Sequence, residues 1–250
     1  IKNLYCGGRG LVAEENPLFF KQLLSGVDIG ASDSSAQQMA NFIYIIGDKN
    51  TRECVIVDPA WDIDGILDVI EAEEMKLKGS LVTHYHPDHV GGSIFGMNIM
   101  GLADLMEKSS TPVYVNKNEA DGLKQVTGLS DTDLRLTDSE EVLSIGSIDI
   151  TFLHTPGHTP GSQCFRVGNS LVAGDTLFLQ GCGRVDLPGG DSEVMYDTLT
   201  RRLAKIQDEV VLYPGHNYGG MPYAPMGEVR ETNSYLQINS LEDWMAVMGG

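Results

Sequence analysis

Thr83-His84-Tyr85-His86-Pro87-Asp88-His89-Val90-Gly91-Gly92 is the stretch that decides how this chain is read. It places three of the chain's six histidines and one carboxylate within six residues, directly after the short apolar run Ser80-Leu81-Val82-Thr83. Imidazole and carboxylate are the side chains that hold zinc or iron. Crowding four of them together costs repulsion and desolvation unless a cation sits among them. Pro87 fixes its own φ and biases His86 towards an extended backbone, which suits a ligand loop better than a helix interior. The stretch therefore predicts half of a two-metal hydrolytic site. A histidine-rich surface loop is the alternative, and the residues downstream weigh against it.

Working outward, the other ligand-type residues fall at strand ends. Thr155-Pro156-Gly157-His158-Thr159 puts His158 on a turn after an apolar strand, and Ala173-Gly174-Asp175-Thr176 puts Asp175 at the end of the next strand but one. Tyr213-Pro214-Gly215-His216-Asn217-Tyr218 puts His216 at the end of a third. Open α/β sheets build their sites at the C-terminal edges of strands, and each motif delivers one ligand-type side chain there. His154 matches no ligand position and reads as a strand-end histidine in a structural hydrogen bond.

Strands and helices interleave around these motifs. Asn41–Ile46, Cys54–Val57, Ser80–Thr83 and Val113–Val115 read as strands. Ile63, Ile66, Leu67 and Ile70 predict an amphipathic helix over about 62–75, and Lys117–Val126 predicts another. Short strands follow at Ile148–Leu153, Gln163–Val167 and Ser170–Ala173, then a helix at Ser192–Ile206, a strand at Val210–Tyr213 and a closing helix at Leu241–Met248. Residues 1–38 have weak periodicity and read as an irregular lead-in with one helix near Pro17–Leu24. Nothing resembles a low-complexity linker, so one α/β domain over 1–250 is expected.

The formal charge of −18 argues against nucleic acid or an anionic membrane surface as a partner. No apolar run is long enough to span a bilayer. The four cysteines, Cys6, Cys54, Cys164 and Cys182, are scattered and form no disulfide framework or zinc ribbon, so a cytoplasmic location is expected.

Taken together, His-x-His-x-Asp-His at 84–89, Pro-Gly-His-Thr at 156–159, Gly-Asp-Thr-Leu-Phe at 174–178 and Pro-Gly-His-Asn-Tyr at 214–218 resemble the metallo-β-lactamase fold superfamily, in its glyoxalase II-like branch. The resemblance covers about residues 40 to 235. It implies an αβ/βα sandwich, two mixed sheets flanked by helices, with metal at one edge. It implies two divalent ions, zinc first and iron as the alternative. His84, His86 and His158 would hold one, Asp88, His89 and His216 the other, and Asp175 would bridge them. Two such ions bring four positive charges, while two carboxylates and one hydroxide remove three; a small positive excess remains to polarise a substrate oxygen. Asp88 would aim the metal-bound hydroxide. Asp58, after the second strand, matches a carboxylate near the metal loop in that superfamily and either orients a ligand histidine or closes a turn.

The resemblance also implies a reaction. Asp175, in place of cysteine, separates the chain from the β-lactamases, and the glyoxalase II-like branch hydrolyses thioesters. Arg184 stands where glyoxalase II has a glutathione-contacting lysine, and Tyr218 matches a glutathione-contacting tyrosine. Asp186 replaces another tyrosine of that site, and the chain is short after His216 for the helical C-terminal domain of glyoxalase II. The expected partner is a small molecule, a glutathione conjugate or other anionic thioester, with a second copy of the chain as the macromolecular alternative. A second resemblance, to the persulfide dioxygenases, rests on Gly181-Cys182-Gly183-Arg184-Val185-Asp186 followed by Arg230 and Asn233. It implies one iron held by His84, His158 and Asp175, and makes Arg230 a third candidate for substrate binding.

Overall fold

The computed structural model describes residues 16–248 apart from Phe95; the first fifteen residues of the expected lead-in, with Cys6, lie outside the described residues. In chain order the first half gives β1 (Leu18–Leu24), α1 (Ser34–Met39), β2 (Phe42–Asp48), β3 (Glu53–Val57), α2 (Ile63–Ala72), β4 (Lys76–Leu81), α3 (Pro87–Val90), β5 (Gly92–Ile94), β6 (Met97–Ile99), α4 (Leu102–Lys108), β7 (Val113–Asn116), α5 (Ala120–Thr127) and β8 (Leu134–Thr137). The second half gives β9 (Val142–Ile145), β10 (Ile148–His154), β11 (Gln163–Val167), β12 (Ser170–Gly174), α6 (Ser192–Asp197), β13 (Val211–Pro214), β14 (Ala224–Pro225), α7 (Met226–Thr232) and α8 (Leu241–Met248).

One six-stranded sheet runs β1-β2-β3-β4-β7-β8 and the other β14-β13-β12-β11-β10-β9. Both are mixed: β1, β2 and β3 pair antiparallel while β4, β7 and β8 add in parallel, and β13 is the parallel strand of the second sheet. The period-2 alternation of β2 explains the layering. Phe42, Tyr44 and Ile46 face Ile148, Ile150, Phe152, Phe165 and Val172 of the other sheet, whereas Ile43 and Ile45 point outward onto Ile63, Ile66 and Ile70 of α2. The second sheet repeats the arrangement, with Leu171, Ala173 and Leu212 covered by Leu199, Met226, Val229 and Trp244. Each Val, Leu, Ile, Phe or Met side chain among them, fully buried, contributes about 1.5–3 kcal/mol. The result is the αβ/βα sandwich. Among the described residues no helix is long and apolar enough to cross a membrane.

The helix expected near Pro17–Leu24 is a strand. β1 pairs antiparallel with β2 from Leu18 opposite Asp48 to Leu24 opposite Phe42. Leu18, Phe20 and Leu24 pack into the inter-sheet core while Phe19 and Leu23 pack on the outer face. Tertiary pairing with an otherwise open edge of β2 overrides a weak local signal. Helix in this lead-in comes later, as α1, whose Asp33 side chain accepts from Ser35 N–H and Ala36 N–H. The ligand loop also contains helix: Pro87 occupies the first turn of α3, where its missing N–H costs nothing, and His86 caps it with φ −64 and ψ 141. The expected helix over 192–206 begins as α6, continues as a π-helical turn over Thr198–Arg202 and ends in a 3-10 turn at Lys205.

Candidate metal centre

The ligand-type residues converge from both sheets. His84, His86, Asp88 and His89 follow β4, His158 follows β10, Asp175 follows β12 and His216 follows β13. The last of these is pulled across by the first sheet. Phe42 N–H donates to Gly215 O at 2.7 Å, and the Tyr44 hydroxyl donates to Pro214 O. Gly215 has to be glycine here, because a Cβ would stand 2.3 Å from Asp175 Oδ1.

Two trios result, each with its ligand atoms within 4.8 Å of one another: His84, His86 and His158, and Asp88, His89 and His216. In the first, His158 Nε2 lies 3.0 Å from His86 Nδ1. In the second, Asp88 Oδ2 is 3.3 Å from His89 Nε2 and 3.4 Å from His216 Nε2, with the two nitrogens 3.2 Å apart. Asp175 stands between them, Oδ1 at 3.3 Å from His89 Nε2, and Oδ2 at 3.3 Å from His216 Nε2 and 3.8 Å from His158 Nε2.

The donor set fits metal on a further observation. His84 Nε2 and Asp175 Oδ1 are buried without a hydrogen-bonding partner, which is costly for groups of this polarity unless an ion completes them. Burial and the surrounding imidazoles hold His84 well below its ordinary pKa and push His86 down to about 4, so both are neutral at neutral pH with lone pairs available. The second trio is different. Burial pushes His216 down, but the Asp175 and Asp88 carboxylates outweigh it and raise the imidazole to about 9. His89 is raised in the same way. Without a cation, protons on these imidazoles stand in for its charge.

The far nitrogens are held equally firmly. His158 Nδ1 lies 2.7 Å from Arg184 O and His216 Nδ1 2.7 Å from Met39 O, so the end of α1 contributes a carbonyl to the site. Asp58 Oδ2 lies 2.9 Å from His89 Nδ1 and accepts from the Thr83 hydroxyl at 2.6 Å, and that hydroxyl lies 3.0 Å from His84 Nδ1. Asp58, His84 and His89 also form a compact trio, yet both Asp58 oxygens are already committed, Oδ1 to Thr83 N–H at 2.8 Å. Its place is behind the histidines, orienting two of them, rather than beside a metal. The backbone there is left-handed, φ 51, an unusual conformation for a residue other than glycine.

A cavity of about 560 Å³ opens on both trios, lined by His86, Asp88, His158, Asp175 and His216 and by Met39, Ile94, Phe178, Leu187, Tyr218 and Tyr235. Tyr218 stacks on His216 with ring centroids 4.6 Å apart. Arg184 sits at the rim, paired in bidentate fashion with Asp186 at 2.7 and 2.6 Å. Arg230 is a correction: it does not reach this cavity. Its guanidinium donates to Leu203 O and Ile206 O and pairs with Asp208, so it satisfies carbonyls left over at a helix C-terminus. Asn233 binds Phe178 O and Gly181 O and holds the cavity wall. His154, as expected, stands apart, Nε2 2.9 Å from Pro160 O.

Sequence reasoning missed Asn41. Its Nδ2 donates to Asp88 Oδ2 at 2.9 Å and lies 3.3 and 3.5 Å from His89 and His216 Nε2, while Trp61 Nε1 donates to its Oδ1 at 2.9 Å and fixes which way the amide points. A lone asparagine before an apolar strand carries no signal for this.

The family model for the metallo-beta-lactamase superfamily matches residues 37–216. The chain belongs to that superfamily. Among curated superfamily relatives, it is 32% identical to the probable polyketide biosynthesis zinc-dependent hydrolase PksB of Bacillus subtilis, over 82% of this chain and 86% of that one. It is 29% identical to the hydroxyacylglutathione hydrolase GloC of Haemophilus influenzae, over 82% and 95%. It is 27% identical to the human mitochondrial persulfide dioxygenase ETHE1, over 83% and 76%. Among solved superfamily structures, ETHE1 from Myxococcus xanthus superposes with a TM-score of 0.75 at 27% identity, covering 93% of this chain and 90% of that one.

Proposed function

We propose that this superfamily member is a metal-dependent hydrolase of acyl substrates, with thioesters as the preferred class and zinc as the metal. In this reading His84, His86 and His158 would hold one ion, Asp88, His89 and His216 would hold a second, and Asp175, which reaches both sets, would be shared between them. The observation that carries it is the second trio, complete and converging on one point beside an Asp175 that reaches both sets. The relatives named as hydrolases support the same direction.

When bound, such ions polarise the acyl oxygen and supply a water of lowered pKa as nucleophile. The chain's own residues do the rest. Asp88 is held well below the usual carboxylate range by His89 and His216 against the opposing effect of burial, so it is ionised and accepts a hydrogen bond from the nucleophile, aiming it into the cavity. Asn41 keeps Asp88 in that orientation. The apolar walls at Met39, Ile94, Phe178 and Leu187 receive the acyl chain and exclude competing water, and Arg184 at the rim meets an anionic group of the substrate. A glutathione conjugate is one such substrate.

The second reading is a one-iron persulfide dioxygenase using His84, His158 and Asp175, favoured by the likeness to the two ETHE1 proteins. Thioester hydrolysis and oxygen uptake with glutathione persulfide, measured on one preparation with its metal content, separate the two. Hydrolysis without oxygen uptake supports the proposal; persulfide-dependent oxygen consumption without hydrolysis overturns it.

A further inference from the structure

Glu119 is a carboxylate 1% exposed, at the residue preceding α5, with no part in the chemistry above. Its Oε1 accepts from Tyr85 N–H at 3.0 Å and from the Thr159 hydroxyl at 2.6 Å, and its Oε2 accepts from Gly161 N–H at 2.7 Å. Tyr85 lies between His84 and His86, and Thr159 follows His158. The two loops belong to opposite sheets of the sandwich, and one buried carboxylate ties them together. The approach is close enough that a Cβ on Gly161 would stand 2.6 Å from Glu119 Oε2. Its hydrogen bonds go to chain neighbours of His84, His86 and His158 and to none of the ligand-type residues themselves.

We propose that Glu119 is a positioning residue which clamps the His84/His86 loop to the His158 loop and thereby sets the affinity of the first metal position. The inference rests on the metal assignment made above. A buried carboxylate is expensive, and burial pushes Glu119 up to about 7 even with three donors pulling the other way. A purely structural polar residue in a small loop has cheaper solutions. What the ionised carboxylate supplies is acceptors only, on both oxygens. Glutamine, of the same shape, must turn its NH2 towards either Gly161 N–H or Tyr85 N–H, setting donor against donor and moving one loop off the other.

The test uses the full chain, stripped of metal and titrated with zinc against a competing chelator. His158→Ala and His216→Ala identify which of the two dissociation constants belongs to which trio. For Glu119→Gln the first position weakens by at least about tenfold, the usual scale for losing an outer support of a ligand, and the second stays within about threefold. Thr159→Val, which removes one of the three hydrogen bonds, shifts the same constant by less and serves if Glu119→Gln fails to fold. Unchanged constants overturn the proposal. So does equal weakening at both positions alongside a fall in Tm, which is what a merely structural residue would give. If the wild type binds a single ion at the His158 position, the two-ion reading fails, and weakening of that ion by Glu119→Gln still upholds this inference.

Discussion

Asp58→Asn probes the scaffold behind the metals with little disturbance of the fold. Asparagine tolerates the left-handed backbone at this position about as well as aspartate does, so the substitution isolates side-chain chemistry. With its amide oxygen towards Thr83 N–H, the 2.8 Å bond is kept, and the NH2 then faces both the Thr83 hydroxyl and His89 Nδ1. The hydroxyl can turn, at a cost of about 1 kcal/mol. His89 cannot: a donor now faces Nδ1, so the proton moves to Nε2, the nitrogen that would bind metal. Losing such a support weakens a metal by about 10- to 100-fold, or about 1.4 to 2.8 kcal/mol. His84 depends on Asp58 through the Thr83 hydroxyl at 3.0 Å, so the first position weakens too, by less. Zinc titration of the metal-stripped chain reads both constants, and Thr83→Val, which removes the hydroxyl against His84 but leaves the Asp58–His89 contact in place, weakens the first more than the second. If Asp58→Asn leaves both constants within about threefold of wild type, the orienting role is wrong.

Four further outcomes rest on the same geometry. Cys182 lines the cavity, but burial pushes its thiol up to about 12, so Cys182→Ala retains full hydrolysis; a large loss would indicate a cysteine nucleophile. With the His216 proton held to about 9 by neighbouring carboxylates, zinc must displace it at pH 7. The second ion's affinity therefore rises by at least about tenfold per pH unit from 7 towards 9, the proton on His89 steepening the slope further, while the first ion, meeting a His86 already neutral above about 4, changes little in that range. Parallel pH slopes for the two ions would refute this assignment. Arg184→Ala raises KM for an anionic thioester by no more than about fivefold, as befits a solvent-screened rim charge, with metal content unchanged; Arg230→Ala lowers Tm and leaves KM alone.

Much of the candidate site was legible because its ligand-type residues are rare and fall at strand ends. His84, His86, Asp88, His89, His158, Asp175 and His216 all come together, and the apolar runs of β2, β3 and β12 announced an α/β domain, while the sandwich itself was implied by the family resemblance. What stayed hidden is tertiary in origin. Asn41, Trp61 and Glu119 look like ordinary polar or aromatic residues until chains of quite different position fold against them. Leu18–Leu24 carries too weak a pattern to reveal the strand that β2 imposes on it. Arg230 shows the opposite failure: a motif resemblance pointed to substrate, and the helix end beside it supplies the partners instead.

The most direct test is to follow thioester hydrolysis while zinc is returned to the metal-stripped chain, counting bound ions in every sample. Activity is expected to keep rising until two ions are bound per chain and then to stop. Saturation at one ion, with no hydrolysis and with oxygen consumed when iron and glutathione persulfide are supplied, would contradict the two-ion reading.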